Sequence, residues 1–279
     1  MKDYVKKIKD YKQFPVLISL HKSGSTWVNS FIHKRYRSIG VTLPPRTECV
    51  EFFSDFKLEL KFNEIAEKSH KEKIKLLEDL RSFGFEMNMK NHVPEIIPVW
   101  DWFKTFYKEH DLIVLRRKNL YKHYISILFY GLIQEAVPLT QKADENGRYV
   151  FLKPTRVNYK DGKPGQEEDI IKSTILDYKV KFRHSERIWQ LFLNNVRFLN
   201  DVVIEDLRDQ GSQLQLLWME ELNHEWLETR FNVEIWQKSI APFRTIKYES
   251  YFPQKELATI KSKFAEAFER EFQYYGYKY

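Results

Sequence analysis

The sequence predicts an α/β protein, a three-layer fold in which helices flank a central parallel sheet. Three observations predict it. An apolar run from Pro15 to Leu20 meets a short polar turn, after which Trp27, Val28, Phe31 and Ile32 recur at helical spacing, so the order is strand, loop, helix. A second apolar run, Asp111 to Leu115, ends in Arg116-Arg117 and leads into a helical pattern from about Asn119 to Tyr130. Between and beyond them, amphipathic segments alternate with apolar ones, the pattern of strands joined through crossover helices. With 279 residues, 43% of them hydrophobic and 16% aromatic, the chain is long enough to bury a large core. A single domain over 1–279 is expected, with an inserted lid at about 132–168.

The first loop reads His21-Lys22-Ser23-Gly24-Ser25-Thr26. Small residues and one glycine let the backbone curl tightly, and Ser25 or Thr26 is placed to cap the helix that follows. First-turn amides and the positive end of the helix dipole make such a turn an anion cradle, and Lys22 adds a full charge. The nucleotide loop GxxxxGK[ST] is absent, because Lys22 precedes Gly24 instead of following a second glycine.

Further elements follow in chain order. Residues 1 to 13 read as a short helix leading into the first strand, and the helix after the loop is expected to stop near Ser38-Ile39-Gly40, ahead of Pro44-Pro45. Residues 41 to 62 carry Phe52, Phe53, Phe56 and Phe62 without a regular period. Asn63 is placed to cap a helix through Leu80, with Ile65, Ile74, Leu77 and Leu80 apolar. Phe85, Met87 and Met89 alternate with polar residues, which predicts a strand up to about Lys90, ended by Pro94. In an extended chain Lys90 and His92 share a side, and an imidazole has the proton affinity a general base needs near neutrality.

Pro98 to His110 reads as an amphipathic helix that packs Trp100, Trp102, Phe103, Phe106 and Tyr107 into the core. The strand after it brings Arg116 and Arg117 to a carboxyl end, where open parallel sheets bind ligands and guanidinium forks suit phosphate oxygens. Asn146-Gly147, Asp161-Gly162 and Lys163-Pro164-Gly165 make 132–168 rich in turns, with a hairpin involving Tyr149 to Val157. A long helix is expected over Glu168 to Asn195, a strand at Val202-Val203-Ile204, helix over 212 to 231, and a last helix from Gln254 to Tyr274.

Composition bounds the function. No apolar run approaches a membrane span, and MKDYVKKIKDYKQF is charged with no signal-type segment behind it, so a soluble, cytoplasmic protein is expected. One cysteine, Cys49, excludes internal disulfides and cysteine metal clusters, and no Asn-x-Ser/Thr acceptor occurs. A net charge of +7 favours an anionic ligand. Nucleic acid is not the expected partner, because lysines are interspersed with Glu and Asp, as in Glu64 to Arg81, and form no single stripe.

Three segments together resemble the sulfotransferase family. The first loop is similar to its phosphosulfate loop, PKSGTTW, through Lys22, Ser23, Gly24, Thr26 and Trp27, with His21 where proline is common and Ser25 where threonine is common. Lys90, His92 and Pro94 match the KTHLP stretch of cytosolic members, with Asn91 and Val93 replacing threonine and leucine. RRKNLYKHYIS resembles the RRxNxxxxxxS segment of bacterial members, where Arg116 and Ser126 fill the arginine and serine roles and Arg117 is the alternative. Ile204-Glu205-Asp206-Leu207 is similar to a YEDL segment that closes the sheet, a role Lys247-Tyr248-Glu249 also fits. The late stretch PFRTIKYESYF offers Arg244, then Lys247, toward a 3′-phosphate, without the glycines usual there.

The resemblance implies a P-loop-NTPase-like fold and 3′-phosphoadenosine 5′-phosphosulfate as donor, held by Lys22, Ser23, Gly24, Ser25, Thr26, Trp27, Arg116, Ser126 and Arg244. It implies His92 as base, with Glu86 and Glu95 as substitutes, Lys90 on the transferring group, and no metal. The acceptor is a hydroxyl or amine of a small molecule, sugar, lipid or peptide; the oligomeric state is not specified. The turn-rich segment 132–168 itself reads either as a lid or acceptor-binding region or as a structural insertion. The competing readings are a nucleotide or small-molecule kinase and a catalytically inactive nucleotide-binding regulator, which would keep Lys22 and Arg116 but need no base.

Overall fold

The computed structural model describes residues 15–38, 69–82, 90–136, 141–143, 149–151, 184–234, 249 and 252–279. The described residues up to Lys118 and from Leu193 to Glu234 form one compact unit; those of Asn119–Phe192 and from 249 onward form the other.

The first unit holds a four-stranded, wholly parallel sheet. Strands β1 (Val16–Ser19), β2 (Lys90–His92), β3 (Asp111–Arg116) and β6 (Gln213–Trp218) lie in the order β2-β1-β3-β6. The pairings Ser19 with His92, Ser19 with Leu115 and Arg116 with Trp218 bring all four carboxyl ends to one edge. Val16, Ile18, Leu112 and Val114 are buried on one face, and Leu17, Ile113 and Leu115 on the other, so both faces are covered, as a three-layer α/β arrangement requires. Helix α1 (Ser25–Ser38) presents Trp27, Val28, Phe31 and Ile32 to the second of these faces, joined by Leu227 and Phe231 of the helix His224–Phe231. Every member of that set is strongly apolar, which is why the helix period and the strand period meet there.

Several boundaries differ from the sequence reading. Ser69 and Glu72 form a reciprocal capping box, with Ser69 N donating to Glu72 Oε2 at 2.8 Å, so the helix is His70–Ser82 and its cap is Ser69 instead of Asn63. Strand β2 runs on to His92, and Pro94 enters the helical turn Val93–Ile96; the expected stretch from Phe85 to Met89 lies outside the described residues. The amphipathic segment from Pro98 shortens to the helix Trp100–Phe106, with Trp100, Phe103 and Phe106 buried.

Two assignments are overturned. Val202-Val203-Ile204 lies in a wide helical stretch, Leu199–Ile204, continued by a short helix Glu205–Asp209. Leu199, Asn200, Val203, Ile204 and Leu207 are its buried residues, a helical spacing in which burial overrides the β preference of valine and isoleucine. Asp206 does not close the sheet: it accepts from Lys104 Nζ at 2.9 Å and Trp100 Nε1 at 2.8 Å, and the lysine first, then the indole, hold its carboxyl below the ordinary range. The sheet is closed by β6, where the sequence reads as helix; only the helix His224–Phe231, capped by Asn223, keeps that assignment.

The second unit contains the helix Leu120–Ala136, longer than expected and capped by Asn119, whose Oδ1 accepts from Lys122 N at 2.7 Å. It also holds a hairpin of β4 (Gln141–Ala143) and β5 (Tyr149–Phe151), the helices Gln254–Ala267 and Glu269–Tyr274, and the start of Glu186–Phe198. The helix expected from Glu168 starts at Glu186 within the described residues, since His184 and Ser185 precede it without helical structure. Tyr124, Trp189, Phe192, Phe264 and Phe268 pack ring on ring, with centroids 4.9 Å apart for Trp189 and Phe264 and 5.0 Å for Tyr124 and Phe192.

At the rim of that cluster the Tyr124 hydroxyl lies 3.0 Å from His184 Nε2. Burial, then the Lys263 cation, hold the His184 imidazole below its ordinary 6.5. The unfolded chain therefore binds this proton at a higher pH than the folded chain. Stability from His184 is full above 6.5 and falls as the pH drops below it. Between about pH 7 and pH 5.5 the urea midpoint of the wild type is expected to fall more steeply than that of His184→Gln. Equal slopes would refute the assignment.

Candidate functional site

The strand order is that of open doubly wound sheets, whose ligand crevice lies beyond the carboxyl ends, between the central strand and the neighbour that follows the reversal. Here those strands are β1 and β3, and the loop at 21–24 leaves β1 at that point. Both Lys22 (φ 61°) and Gly24 (φ 84°) are left-handed. A left-handed lysine is uncommon, and such residues turn successive amides into one concavity. Gly24 lies against the flexible end of the Met219 side chain, which could shift for a Cβ; it is the left-handed backbone that calls for glycine there. The Ser23 hydroxyl donates to Leu20 O at 2.6 Å and closes the turn.

Neither Ser25 nor Thr26 is the cap. Trp27 N and Val28 N both donate to Gly24 O, at 3.0 and 3.4 Å, so α1 starts from Gly24, and Ser25 and Thr26 stand in its first turn, where amides lack intrahelical acceptors. Thr26 Oγ1 instead accepts from Lys90 Nζ at 3.4 Å, which ties β2 to the loop. Trp27 is a core residue, edge-on to Phe31 and His224 with centroids 5.8 and 5.3 Å away.

Next to Lys90 on β2, Asn91 Nδ2 donates to Leu17 O at 3.4 Å and pins the strand to β1. His92, only 3% exposed, sets Nδ1 3.2 Å from Ser19 Oγ. Its ring lies 4.1 Å from that of His21, tilted by 40°, and His21 Nε2 is 3.6 Å from Glu95 Oε1. Sequence reasoning places Lys22, Lys90 and His92 on converging strand ends, and the structure brings Thr26 to Lys90 and His92 to Ser19. It misses Ser19, although a serine ending the run FPVLISL is a visible signal, and it misses Met219 and Trp218, which lie where it reads helix.

At the end of β3 the two arginines have different partners. The Arg116 guanidinium lies over the Trp218 ring, 4.0 Å from its centroid. Arg117 Nη1 donates to Lys22 O at 3.5 Å, and its Nε is 3.8 Å from Glu220. Ser126 lies on the helix Leu120–Ala136 of the second unit, buried. Glu86, Arg244 and Lys247 lie outside the described residues. Among the described residues no three His, Cys, Asp or Glu side chains are arranged to hold a metal ion, and no helix is long and apolar enough to cross a membrane.

Fold and site define a parallel-sheet α/β protein with a tightly turned, lysine-bearing loop at the carboxyl edge of its sheet and a buried imidazole on the adjoining strand. No protein-family model, no curated protein and no solved structure matches the chain.

Proposed function

We propose that the chain is a sulfotransferase of P-loop-like fold, acting in the cytoplasm. It moves a sulfuryl group from 3′-phosphoadenosine 5′-phosphosulfate to a hydroxyl, or an amine, of a small-molecule, sugar, lipid or peptide acceptor. The observation that carries this reading is the contact of Lys90 Nζ with Thr26 Oγ1 at 3.4 Å, with His92 two residues further on the same strand. A phosphate-cradling loop alone suits many nucleotide proteins; a second lysine and a buried imidazole at its edge suit transfer to a hydroxyl.

In this reading the Lys22 ammonium neutralises the charge that builds on the bridging oxygen, and Lys90 holds the sulfuryl oxygens. The His92 imidazole, whose Nδ1 lies 3.2 Å from Ser19 Oγ, takes the acceptor proton. The acceptor oxygen bonds to sulfur as the bond from sulfur to the bridging oxygen breaks, and adenosine 3′,5′-bisphosphate leaves. Incubating the protein with donor labelled in sulfur and a mixed acceptor extract tests this. A labelled acceptor product is expected; absence of any donor turnover, with tighter binding of ATP and magnesium, would overturn it.

Arg116, set by Trp218, is the candidate for the donor's 3′-phosphate, and Arg117 the alternative. The product bisphosphate is expected to bind more tightly than the same nucleotide without its 3′-phosphate, by about 2 to 5 kcal/mol for a desolvated charge pair. Arg116→Ala should erase most of that preference and leave binding of the 5′ end. Calorimetry with both nucleotides checks it: a preference lost in Arg117→Ala and kept in Arg116→Ala would exchange the roles.

A further inference from the structure

We propose that His21, held by Glu95, is the residue that positions His92 and keeps bulk water from it. The inference rests on the reading of the chain as a sulfotransferase. His92 is 3% exposed, and one nitrogen of its ring is engaged by Ser19 from β1. The His21 ring lies against it, with centroids 4.1 Å apart. The His21 side chain is 37% exposed and that of Glu95 10% exposed, so His21 spans from the buried imidazole to the surface. Glu95 follows β2 by one helical turn and comes within ion-pair distance of His21 Nε2, 3.6 Å, which links the His21 ring to the turn after β2. The Ser19 hydroxyl holds one nitrogen of His92, and the His21 ring sets the plane of the imidazole.

The reason to shield such a base is chemical. An imidazole open to solvent takes a proton from water as readily as from the acceptor. Water would then bond to sulfur as the bridging S–O bond breaks, its proton would pass to His92, and the products would be sulfate and the bisphosphate.

The test uses the full chain with His21→Ala, His21→Phe and Glu95→Gln. Sulfate released from donor without acceptor is measured beside transfer to the acceptor identified above. Nitrogen NMR of the His92 ring is recorded without donor. His21→Ala is expected to lower transfer roughly tenfold to a hundredfold, the order lost when a reacting group is misplaced. Sulfate release should rise relative to transfer, and the His92 ring nitrogen signals should shift and broaden as the ring loses the neighbour that fixes its plane. His21→Phe, which keeps a ring without the Glu95 contact, should hold sulfate release low, and Glu95→Gln should fall between the two. A His21→Ala protein with wild-type His92 signals and a wild-type ratio of release to transfer would overturn the inference and leave the sulfotransferase reading standing. If the wild type turns over no donor, the sulfotransferase reading fails, and the water-excluding role fails with it. The spectra of the three variants then decide the positioning role alone. If His21→Ala does not fold, His21→Phe and Glu95→Gln carry the same comparison.

Discussion

Lys22→Ala is expected to lower sulfuryl transfer by about a hundredfold or more, the order lost when one preorganised group facing transition-state charge is removed. The loop should survive the change. Lys22 is left-handed at φ 61°, and alanine in its place bears the same Cβ, so the backbone cost is nearly unaltered. The turn is closed by the Ser23 hydroxyl and amide on Leu20 O, neither of which involves the lysine side chain. Turnover of labelled donor, with a thermal melt as control, measures the effect. A folded Lys22→Ala protein with near wild-type turnover would make the loop purely structural.

His92→Gln should slow the chemical step by about a hundredfold to ten-thousandfold, the range for a lost general base, while donor affinity stays close to that of the wild type. Glutamine still presents a polar group to Ser19 Oγ, 3.2 Å from Nδ1 in the wild type, so β1 and β2 keep their contact. His92→Ala should lose as much rate and some stability as well, because a buried serine hydroxyl would lose that partner. Single-turnover measurements separate the two effects. An unchanged rate in both variants would transfer the role to Glu95, whose carboxylate lies one helical turn beyond, or to Glu86.

What could be read before folding is what local rules control. The order strand, loop, helix over Pro15 to Tyr36 follows from an apolar run, small turn residues and a helical period, each complete within a few residues. The same holds for β3 ending at Arg116, for a helix that begins near Asn119 and for a last helix from Gln254, which the fold breaks at Phe268. Contacts between distant parts of the chain were not legible. A hydroxyl at a helix start usually caps it, which points to Ser25 or Thr26; in the fold, Gly24 takes that place and Lys90, sixty-four positions away, claims the Thr26 hydroxyl.

The sequence by itself determined that β1 would be followed by a lysine-bearing turn and a helix, and that Lys90 and His92 would share one extended segment. Only the tertiary structure decided which segment closes the sheet. Gln213–Trp218 is built from glutamines and leucines that favour helix in isolation, and Val202-Val203-Ile204 from residues that favour strand. Register with β3 makes the first a strand, because its backbone groups pair with those of Asp111–Arg116; burial of Leu199, Val203 and Leu207 along one face makes the second a helix. Hydrogen bonding to a neighbour and burial against a shared core outweigh the few tenths of a kcal/mol by which single residues prefer one conformation to another. The same reason explains why His21 meets His92, and Glu95 meets His21, only in the folded chain: these contacts belong to the pairing of β1 with β2, which no local pattern encodes.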